Sequence, residues 1–238
     1  MISQTRIWAI IPAAGSGARM QATVPKQYLA LRGRPVLLHT IERICSYPRI
    51  DGVLVGVGSR DSHWESIQDR CSTFSKFLGS FIGGAERAHT VLNGIDALAR
   101  RAHDNDWVMV HDGVRPCVRH ADIGRLVDTA AEGSGGLLAV AVNDTVKRTD
   151  ADGVVLETVP RTGLWRALTP QMFRLADLRR ALQTALARGG EITDEAAAME
   201  QIGLRPRVVP GQVDNIKITF PADLALAELI LSHQERER

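Results

Sequence analysis

Two glycines and two cations follow the first apolar run of the chain. Residues 7–11 predict a strand, and Gly15, Gly17, Arg19 and Lys26 come after it. Glycines allow backbone N–H groups to turn toward an anion and allow a phosphate to approach closely. In open α/β sheets, ligands bind beyond the carboxyl ends of the strands. This spacing indicates an anion site, and its two cations suit a triphosphate that releases pyrophosphate.

Two common nucleotide-binding loops are excluded by the same stretch of sequence. A dinucleotide-binding loop needs a third glycine where Met20 stands and an acid within residues 33–41, which contain none. A Walker A loop needs Gly-Lys followed by Ser or Thr, and that order does not occur here. Taken alone, Lys26 is most simply a solvated surface lysine. Its place after the glycine loop, together with Arg19, favours phosphate binding.

An acid at the end of a strand is the next candidate. Asp112 follows the apolar run 107–110, so we expect its carboxylate at the ligand-binding edge of the sheet. The alternative for Asp112 is a loop acid that caps a turn. His111 precedes it, but neighbouring strand residues point to opposite faces. We therefore expect a buried, hydrogen-bonded histidine rather than a catalytic pair.

Composition narrows the class of protein. The 238 residues include 29 basic and 27 acidic side chains, a formal net charge of +2. No basic stripe suits nucleic acid, and no apolar run reaches the ~20 residues that cross a bilayer. The spacing of Cys45, Cys71 and Cys117 argues against a disulfide framework or a thiolate zinc site. The sequence also begins without a signal-peptide pattern. We expect a soluble, cytoplasmic protein that binds neither nucleic acid nor membrane.

Short apolar strands alternate with amphipathic helices along the chain. Strands are predicted at 7–11, 52–58, 107–111, 136–142 and near Val208. Helices are predicted after Pro35, over 86–102, 122–132, 175–188 and 193–202, and from Pro221 onward. This alternation predicts a single α/β domain over residues 1–238, with a Rossmann-like, mostly parallel sheet and helices on both faces.

The segment at about 143–173 breaks the alternation. Residues 145–148 and 154–159 predict two strands, joined by a tight turn at 149–153. A hairpin inserted into a parallel sheet has no place inside that sheet. We therefore expect a protruding arm.

Eight short motifs together resemble one known family, the 2-C-methyl-D-erythritol 4-phosphate cytidylyltransferases. In chain order they are PAAGSGARM, PKQY, GGAER, VHDGVRP, DTVK, RTGLWRALTPQ, ITDE and DNIKIT. The resemblance runs from about residue 10 to residue 228. It implies a nucleotidyltransferase fold and the transfer of CMP from CTP to 2-C-methyl-D-erythritol 4-phosphate, a step of isoprenoid precursor biosynthesis.

The resemblance also implies roles for particular residues. The catalytic cations are Arg19, Lys26 and Lys217. The nucleotide contacts are Pro12, Ala13, Ala14, Gly15, Gly17, Gly84, Thr90 and Asp112. The acceptor contacts are Arg115, Thr145, Arg161 and Thr169. Asp112 is further expected to hold Mg²⁺ or another divalent cation. The arms of two subunits are expected to interlock in a homodimer, so that Thr145 and Arg161 serve the partner's active site.

Two departures from the family pattern leave alternatives open. Relatives often carry an acid at Ala85 and an Ala-Ala pair at Gly113 and Val114. The nearest alternative is ribitol 5-phosphate cytidylyltransferase, which shares the CTP-binding motifs. A catalytically silent nucleotide-binding protein is a second, but it would be expected to have lost Lys26, Asp112 or Lys217. A nicotinamide-dependent oxidoreductase is disfavoured by the missing third glycine and acid.

Overall fold

A central sheet runs through the molecule, a computed structural model that describes residues 5–15, 24–190 and 192–237. The described strands are β1 (Ile7–Pro12), β2 (Ala30–Leu31), β3 (Arg34–Pro35), β4 (Gly52–Val57), β5 (Phe77–Ile82), β6 (Trp107–Val110), β7 (Gly136–Ala141), β8 (Val146–Thr149), β9 (Val155–Val159), β10 (Trp165–Arg174) and β11 (Arg207–Pro210). Seven form the sheet, in the order β11-β7-β10-β6-β1-β4-β5. All neighbours in it are parallel except β10, which runs antiparallel to β6 and β7.

Helices cover both faces of this sheet. They are α1 (Val36–Cys45), α2 (Ser62–Glu65), α3 (Gln68–Cys71), α4 (Arg87–Ala97), α5 (His120–Ala131), α6 (Leu175–Ala187), α7 (Glu195–Gln201) and α8 (Pro221–Arg236). None of the helices in the described ranges is long and apolar enough to span a membrane. The predicted mostly parallel α/β architecture is confirmed.

The alternation of side chains along β1 supplies both cores. Ile7, Ala9 and Ile11 face the cluster that contains α1 and α5. Trp8 and Ile10 face the opposite cluster, which contains α4, α6 and α7. A strand that is apolar at every position and covered on both faces is typical of a parallel sheet. β1 is therefore fixed in the middle of the molecule, and its carboxyl end has a set position.

A separate hairpin lies in the segment where the arm was expected, and it ends earlier than residue 173. β8 and β9 pair as a separate antiparallel hairpin, with Val146 opposite Val159. Most of its side chains are exposed. Residues 165–173, which we expected within the arm, instead belong to β10 of the central sheet. The second half of β10 is buried between β6 and β7, so the apolar run there belongs to the core.

Candidate active site

A cavity of about 350 Å³ opens beyond the carboxyl ends of β1 and β6. The residues predicted to act that line it are Pro12, Ala13, Ala14, Gly15, Lys26, Gly84, Thr90, Asp112 and Lys217. Gly17 and Arg19 lie outside the described residues. The fold thus brings the start of the glycine loop, two predicted catalytic cations and the predicted carboxylate together in one pocket.

The turn that carries Lys26 is tied to the glycine loop. Residues 26–28 form a single 3-10 turn. Nε2 of Gln27 donates hydrogen bonds to the carbonyl oxygens of Ala13 and Gly15, both at 2.9 Å. Gln27 is almost completely buried. Its residue type alone suggested no role, although the PKQY motif contains it.

Small residues allow two stretches of backbone to approach each other across the pocket. A Cβ on Gly83 would lie 2.4 Å from the Cβ of Ala14, and a Cβ on Gly84 would lie 2.3 Å from the Cβ of His89. The Gly84 N–H donates to Oγ1 of Thr90 at 3.0 Å. Only glycine fits at these two positions, as expected where main chain forms a wall. The hydroxyl of Thr90 holds that wall in place.

Asp112 is surrounded by cations. Its Oδ1 lies 3.1 Å from Nε of Arg87, and its Oδ2 lies 3.0 Å from Nζ of Lys217 and 3.4 Å from Nε of Arg115. Burial disfavours the ionised carboxylate, but Arg87, Lys217 and Arg115 outweigh burial and hold the pKa of Asp112 well below its usual range. The pocket therefore presents a carboxylate at any physiological pH, with more positive than negative charge around it.

Arg87 connects Asp112 to a second buried acid, Glu195. Nη1 and Nη2 of Arg87 lie 2.5 Å and 3.0 Å from Oε1 and Oε2 of Glu195. Burial disfavours the charged guanidinium, but Glu195 and Asp112 outweigh burial and raise the pKa of Arg87. Neither Arg87 nor Glu195 was assigned a role from the sequence. The only signal for them was their presence in the motifs GGAER and ITDE.

His111 is the buried, hydrogen-bonded histidine that the sequence predicted. Its Nε2 lies 3.0 Å from the carbonyl oxygen of Arg115, so this nitrogen carries the proton. Its Nδ1 accepts a hydrogen bond from the Thr169 hydroxyl at 3.1 Å, and the oxygen of that hydroxyl accepts the Asp112 N–H at 3.0 Å. Burial lowers the pKa of His111 to about 4. The neutral ring fixes the loop after β6 rather than entering the pocket.

The predicted acceptor residues occupy two separate places. Arg115 and Thr169 are buried beside Asp112, and Nη1 of Arg115 donates to the carbonyl oxygen of Asn215 at 2.8 Å. Thr145 and Arg161 are exposed at the arm and do not line the pocket. The Arg161 guanidinium donates to the carbonyl oxygen of Asn143 within the arm. None of the four lines the pocket itself, and only Arg115 and Thr169 lie next to a residue that does, Asp112.

The two departures from the family pattern fit the local packing. Ala85 lines the pocket without a polar side-chain atom. A Cβ on Gly113 would lie 2.9 Å from Cδ1 of Leu37, so glycine suits the tight space there. Val114 is buried in the cluster under α8, where its carbonyl oxygen accepts the N–H of Ile218 at 2.9 Å. The valine therefore packs the floor of the loop and leaves the Asp112–Arg115 pair intact.

Comparisons with known proteins identify the family. The model of the IspD family, 2-C-methyl-D-erythritol 4-phosphate cytidylyltransferase, matches residues 7–233. The chain is 48% identical over 230 residues to the enzyme of that name from Azoarcus sp. (strain BH72), covering 96% of this chain and 95% of the relative. It is 46% identical over 228 residues to the Pseudomonas aeruginosa enzyme of the same name, covering 95% of this chain and 96% of the relative.

Solved structures agree with this relationship. A crystal structure of 4-diphosphocytidyl-2C-methyl-D-erythritol synthase superposes with a TM-score of 0.82 at 35% identity, covering 96% of this chain and 99% of the other. The Francisella tularensis 2-C-methyl-D-erythritol 4-phosphate cytidylyltransferase superposes with a TM-score of 0.80 at 32% identity, covering 95% and 100%. The chain belongs to the 2-C-methyl-D-erythritol 4-phosphate cytidylyltransferase family and is a nucleotidyltransferase.

Proposed function

We propose that the pocket beyond β1 and β6 binds CTP and transfers its CMP to 2-C-methyl-D-erythritol 4-phosphate. The observation that carries this proposal is the convergence of Lys26, Lys217 and Asp112 on one pocket whose wall begins with the glycine loop. The two lysines come from opposite ends of the sequence. A pocket with cations beside the backbone that begins a glycine loop suits a triphosphate.

The reaction is an in-line displacement at the α-phosphorus of CTP. An oxygen of the acceptor's phosphate monoester forms a new P–O bond as the bond to the bridging oxygen of the β-phosphate breaks. Pyrophosphate leaves with that electron pair. The attacking dianion has no proton to lose, so no general base is required. Positioning and electrostatic stabilisation therefore supply most of the rate enhancement.

Lys217 is the cation best placed to change partners during the reaction. Arg87 is fixed by Glu195 and Arg115 by the carbonyl oxygen of Asn215. The side chain of Lys217 is 38% exposed where it meets Asp112. When the triphosphate enters, its charge competes with Asp112 for the ammonium group. We propose that Lys217 then contacts the α-phosphate, with Lys26 on the leaving side.

Recognition of the cytosine base falls to the main chain. Ala13, Ala14 and Gly84 bring backbone groups to the pocket surface, and Ala85 adds no polar side chain. Backbone N–H and C=O groups can pair with the edge of a pyrimidine. The distance between the backbone at Ala13 and Ala14 and the backbone at Gly84 then limits the size of the base that can bind.

Asp112 fits the expected Mg²⁺ as a single protein ligand. No cluster of three or more His, Cys, Asp or Glu side chains occurs in residues 5–15, 24–190 and 192–237. Mg²⁺ at nucleotide sites is commonly held by one or two carboxylates together with substrate phosphates and water. Asp112, which is ionised at the pocket surface, supplies one such carboxylate. A bound Mg²⁺ would neutralise charge on the phosphates.

The arm supports a shared site in a homodimer. Arg161 and Thr145 lie on the exposed arm, away from the pocket of their own chain. A guanidinium suits a phosphate because two of its N–H groups can match two phosphate oxygens. We propose that these two residues complete the acceptor site of a second subunit, opposite Arg115. Two identical arms would exchange symmetrically in such a dimer.

The cysteines support a reducing, cytoplasmic compartment. Cys45, Cys71 and Cys117 are free, buried thiols. Burial raises the pKa of each thiol above its ordinary value, so none is activated as a thiolate. Oxidising compartments favour disulfides in proteins that carry several cysteines.

Release of pyrophosphate from the purified protein tests the proposed function. CTP and Mg²⁺ are supplied with 2-C-methyl-D-erythritol 4-phosphate or, separately, with ribitol 5-phosphate. ATP, UTP and GTP replace CTP in parallel, and EDTA removes the metal. We expect release only with CTP, the methylerythritol acceptor and the metal. Pyrophosphate release with ribitol 5-phosphate and not with the methylerythritol compound would mean that ribitol 5-phosphate is the acceptor. CTP binding without pyrophosphate release would favour a catalytically silent nucleotide-binding protein.

A further inference from the structure

Glu195 is a buried acid that the proposed reaction does not use. Only 1% of it is exposed, and it does not line the pocket. Building on the proposed function, we propose that Glu195 is a positioning residue for the transfer reaction. It acts by fixing the guanidinium of Arg87, which in turn holds the carboxylate of Asp112 at the pocket.

The contacts of Arg87 leave its guanidinium little freedom. Both terminal nitrogens lie on the two oxygens of Glu195, and Nε lies on Oδ1 of Asp112. A guanidinium is planar, so contacts on two of its edges fix the orientation of the whole group. The position of Oδ1 therefore depends on where Glu195 holds Arg87.

Glu195 is itself held from both sides by one strand residue. The side chain of Gln171, on β10, donates from Nε2 to Oδ2 of Asp194 at 2.9 Å. Its Oε1 accepts the N–H of Ala196 at 2.9 Å. Gln171 thus contacts the residues before and after Glu195. The start of α7 is fixed to the central sheet at this point.

β10 also contacts Asp112, the residue on the far side of Arg87 from Glu195. Oγ1 of Thr169, two residues before Gln171, accepts the N–H of Asp112 at 3.0 Å. The contacts therefore form a closed ring: from β10 through α7 and Glu195 to Arg87, then to Asp112 and back to β10. A closed ring fixes Asp112 through both its main chain and its side chain.

Helix capping does not explain the buried charge. α7 already has an N-cap, because Oδ1 of Asp194 accepts the N–H of Ala197 at 2.8 Å. A buried ion pair adds little net stability, because removing both charges from water offsets their attraction. What the pair supplies is a fixed direction for Arg87. The orientation of Arg87 matters because it sets the position of the Asp112 carboxylate, and the proposed reaction depends on charges held in defined positions.

Replacing Glu195 by glutamine tests the role. Glu195→Gln keeps the shape but removes the charge, so the guanidinium turns toward Asp112 and competes with Lys217. We expect kcat to fall about 10-fold to 100-fold, as for a misplaced catalytic group, with KM for CTP changed less than about threefold. The matched control is Asp122→Asn. Asp122 is equally buried and paired with Arg125, but it lies on α5 and does not line the pocket. We expect the control to lose stability and keep its kcat per folded molecule.

A double-mutant cycle with Arg87→Lys distinguishes positioning from simple support of the fold. Lysine keeps the charge but cannot contact two carboxylates in the same way. If Glu195 acts through Arg87, the kcat of the double variant should lie within about threefold of the kcat of the less active single variant. Effects that multiply would overturn the inference, and so would a wild-type kcat in Glu195→Gln. If Glu195→Gln does not fold, a wild-type kcat in Arg87→Lys would overturn it.

The wild-type assay separates this inference from the proposed function. An inactive wild type would contradict the proposed function, and with it the inference. An active wild type with an equally active Glu195→Gln would contradict the inference alone. Thermal unfolding of every variant gives the folded fraction used to normalise kcat.

Discussion

The side-chain amide of Gln27 donates a hydrogen bond to the carbonyl oxygen of Gly15 at 2.9 Å. This contact joins the turn that carries Lys26 to the loop that leaves β1. The second bond, to Ala13, has the same length, so both N–H groups of one amide are used. The described start of the loop, residues 13–15, is therefore joined to the turn that carries Lys26 at one side of the pocket. Their relative position is set before any ligand arrives.

Gln27→Met should remove the two hydrogen bonds that join the turn of Lys26 to residues 13–15. Methionine has a similar size but offers no N–H, so two backbone carbonyls lose their partners. We expect a loss of about 1–3 kcal/mol in the free energy of unfolding. We also expect kcat to fall roughly tenfold or more because Lys26 loses its alignment with the loop. Urea unfolding and steady-state pyrophosphate release measure the two effects.

Gln234→Met is the control for that experiment. Gln234 is equally buried on α8, and its Nε2 also donates to a backbone carbonyl, that of Cys117 at 2.8 Å. We expect a similar loss of stability but an unchanged kcat. Equal losses of kcat in the two variants would show that Gln27 matters only for the fold.

Lys26→Ala should leave the fold intact and slow the reaction. Removing one contact to the charge that develops in the transition state lowers kcat by about 100-fold or more. Lys76→Ala is the control, because Nζ of Lys76 donates to the backbone of Tyr47 and Pro48 at 2.7 Å and 2.8 Å, outside the pocket. A turnover close to that of the wild type in Lys26→Ala would rule out its catalytic role.

Much of the fold could be predicted because each helix or strand can be recognised from the spacing of its own apolar residues. The helix predicted over 175–188 is observed at Leu175–Ala187, and the strand predicted over 136–142 at Gly136–Ala141. β10 was misplaced because only residues 160–164 separate it from the hairpin. β5 was missed, since its half-exposed side chains at the edge of the sheet give a weak pattern.

The pocket was predictable only for residues whose type suggests their chemistry. Lys26, Asp112 and Lys217 were identified by motifs and lie together as expected. Arg87 and Glu195 were missed because they are 108 residues apart, at the first positions of α4 and α7, and meet only in the folded chain. Charge and spacing along the chain carry no information about such a pair. Only the three-dimensional structure shows that Arg87 lies between two acids.

A shared active site can be tested by mixing two inactive variants. We expect Arg161→Ala and Lys26→Ala homodimers each to be nearly inactive. In a mixed dimer, one of the two sites keeps both residues. Only this one of the two sites works in the mixed dimer, so its activity should return to roughly half of that of the wild type. The two chains are co-expressed with different tags, and the mixed dimer is isolated before the assay.

The control for mixing is the pair Lys26→Ala and Lys217→Ala. Both lysines line the pocket of their own chain, so every site in a mixed dimer lacks one of them. We expect no recovery of activity. Equal recovery in the two experiments, or none in either, would contradict the exchange of arms.

Asp106 gives a prediction about acid sensitivity away from the pocket. Burial disfavours its ionisation, but N–H groups of His103, Trp8 and Arg6 outweigh burial and lower the pKa of Asp106 below its ordinary 3.8. The unfolded chain therefore binds this proton at a higher pH than the folded chain. The stabilisation is fully present above the unfolded pKa and is lost as pH falls through the folded one.

Asp106→Asn should therefore be destabilised most at neutral pH. The amide oxygen cannot satisfy three donors as the carboxylate does, so we expect a loss of about 1–3 kcal/mol at pH 7. The gap between variant and wild type should narrow as pH falls below 3.8. Urea unfolding at neutral and acidic pH measures it, with Asp104→Asn as the exposed neighbour whose loss should matter little. A gap that stays constant with pH would mean that ionisation of Asp106 does not stabilise the start of β1.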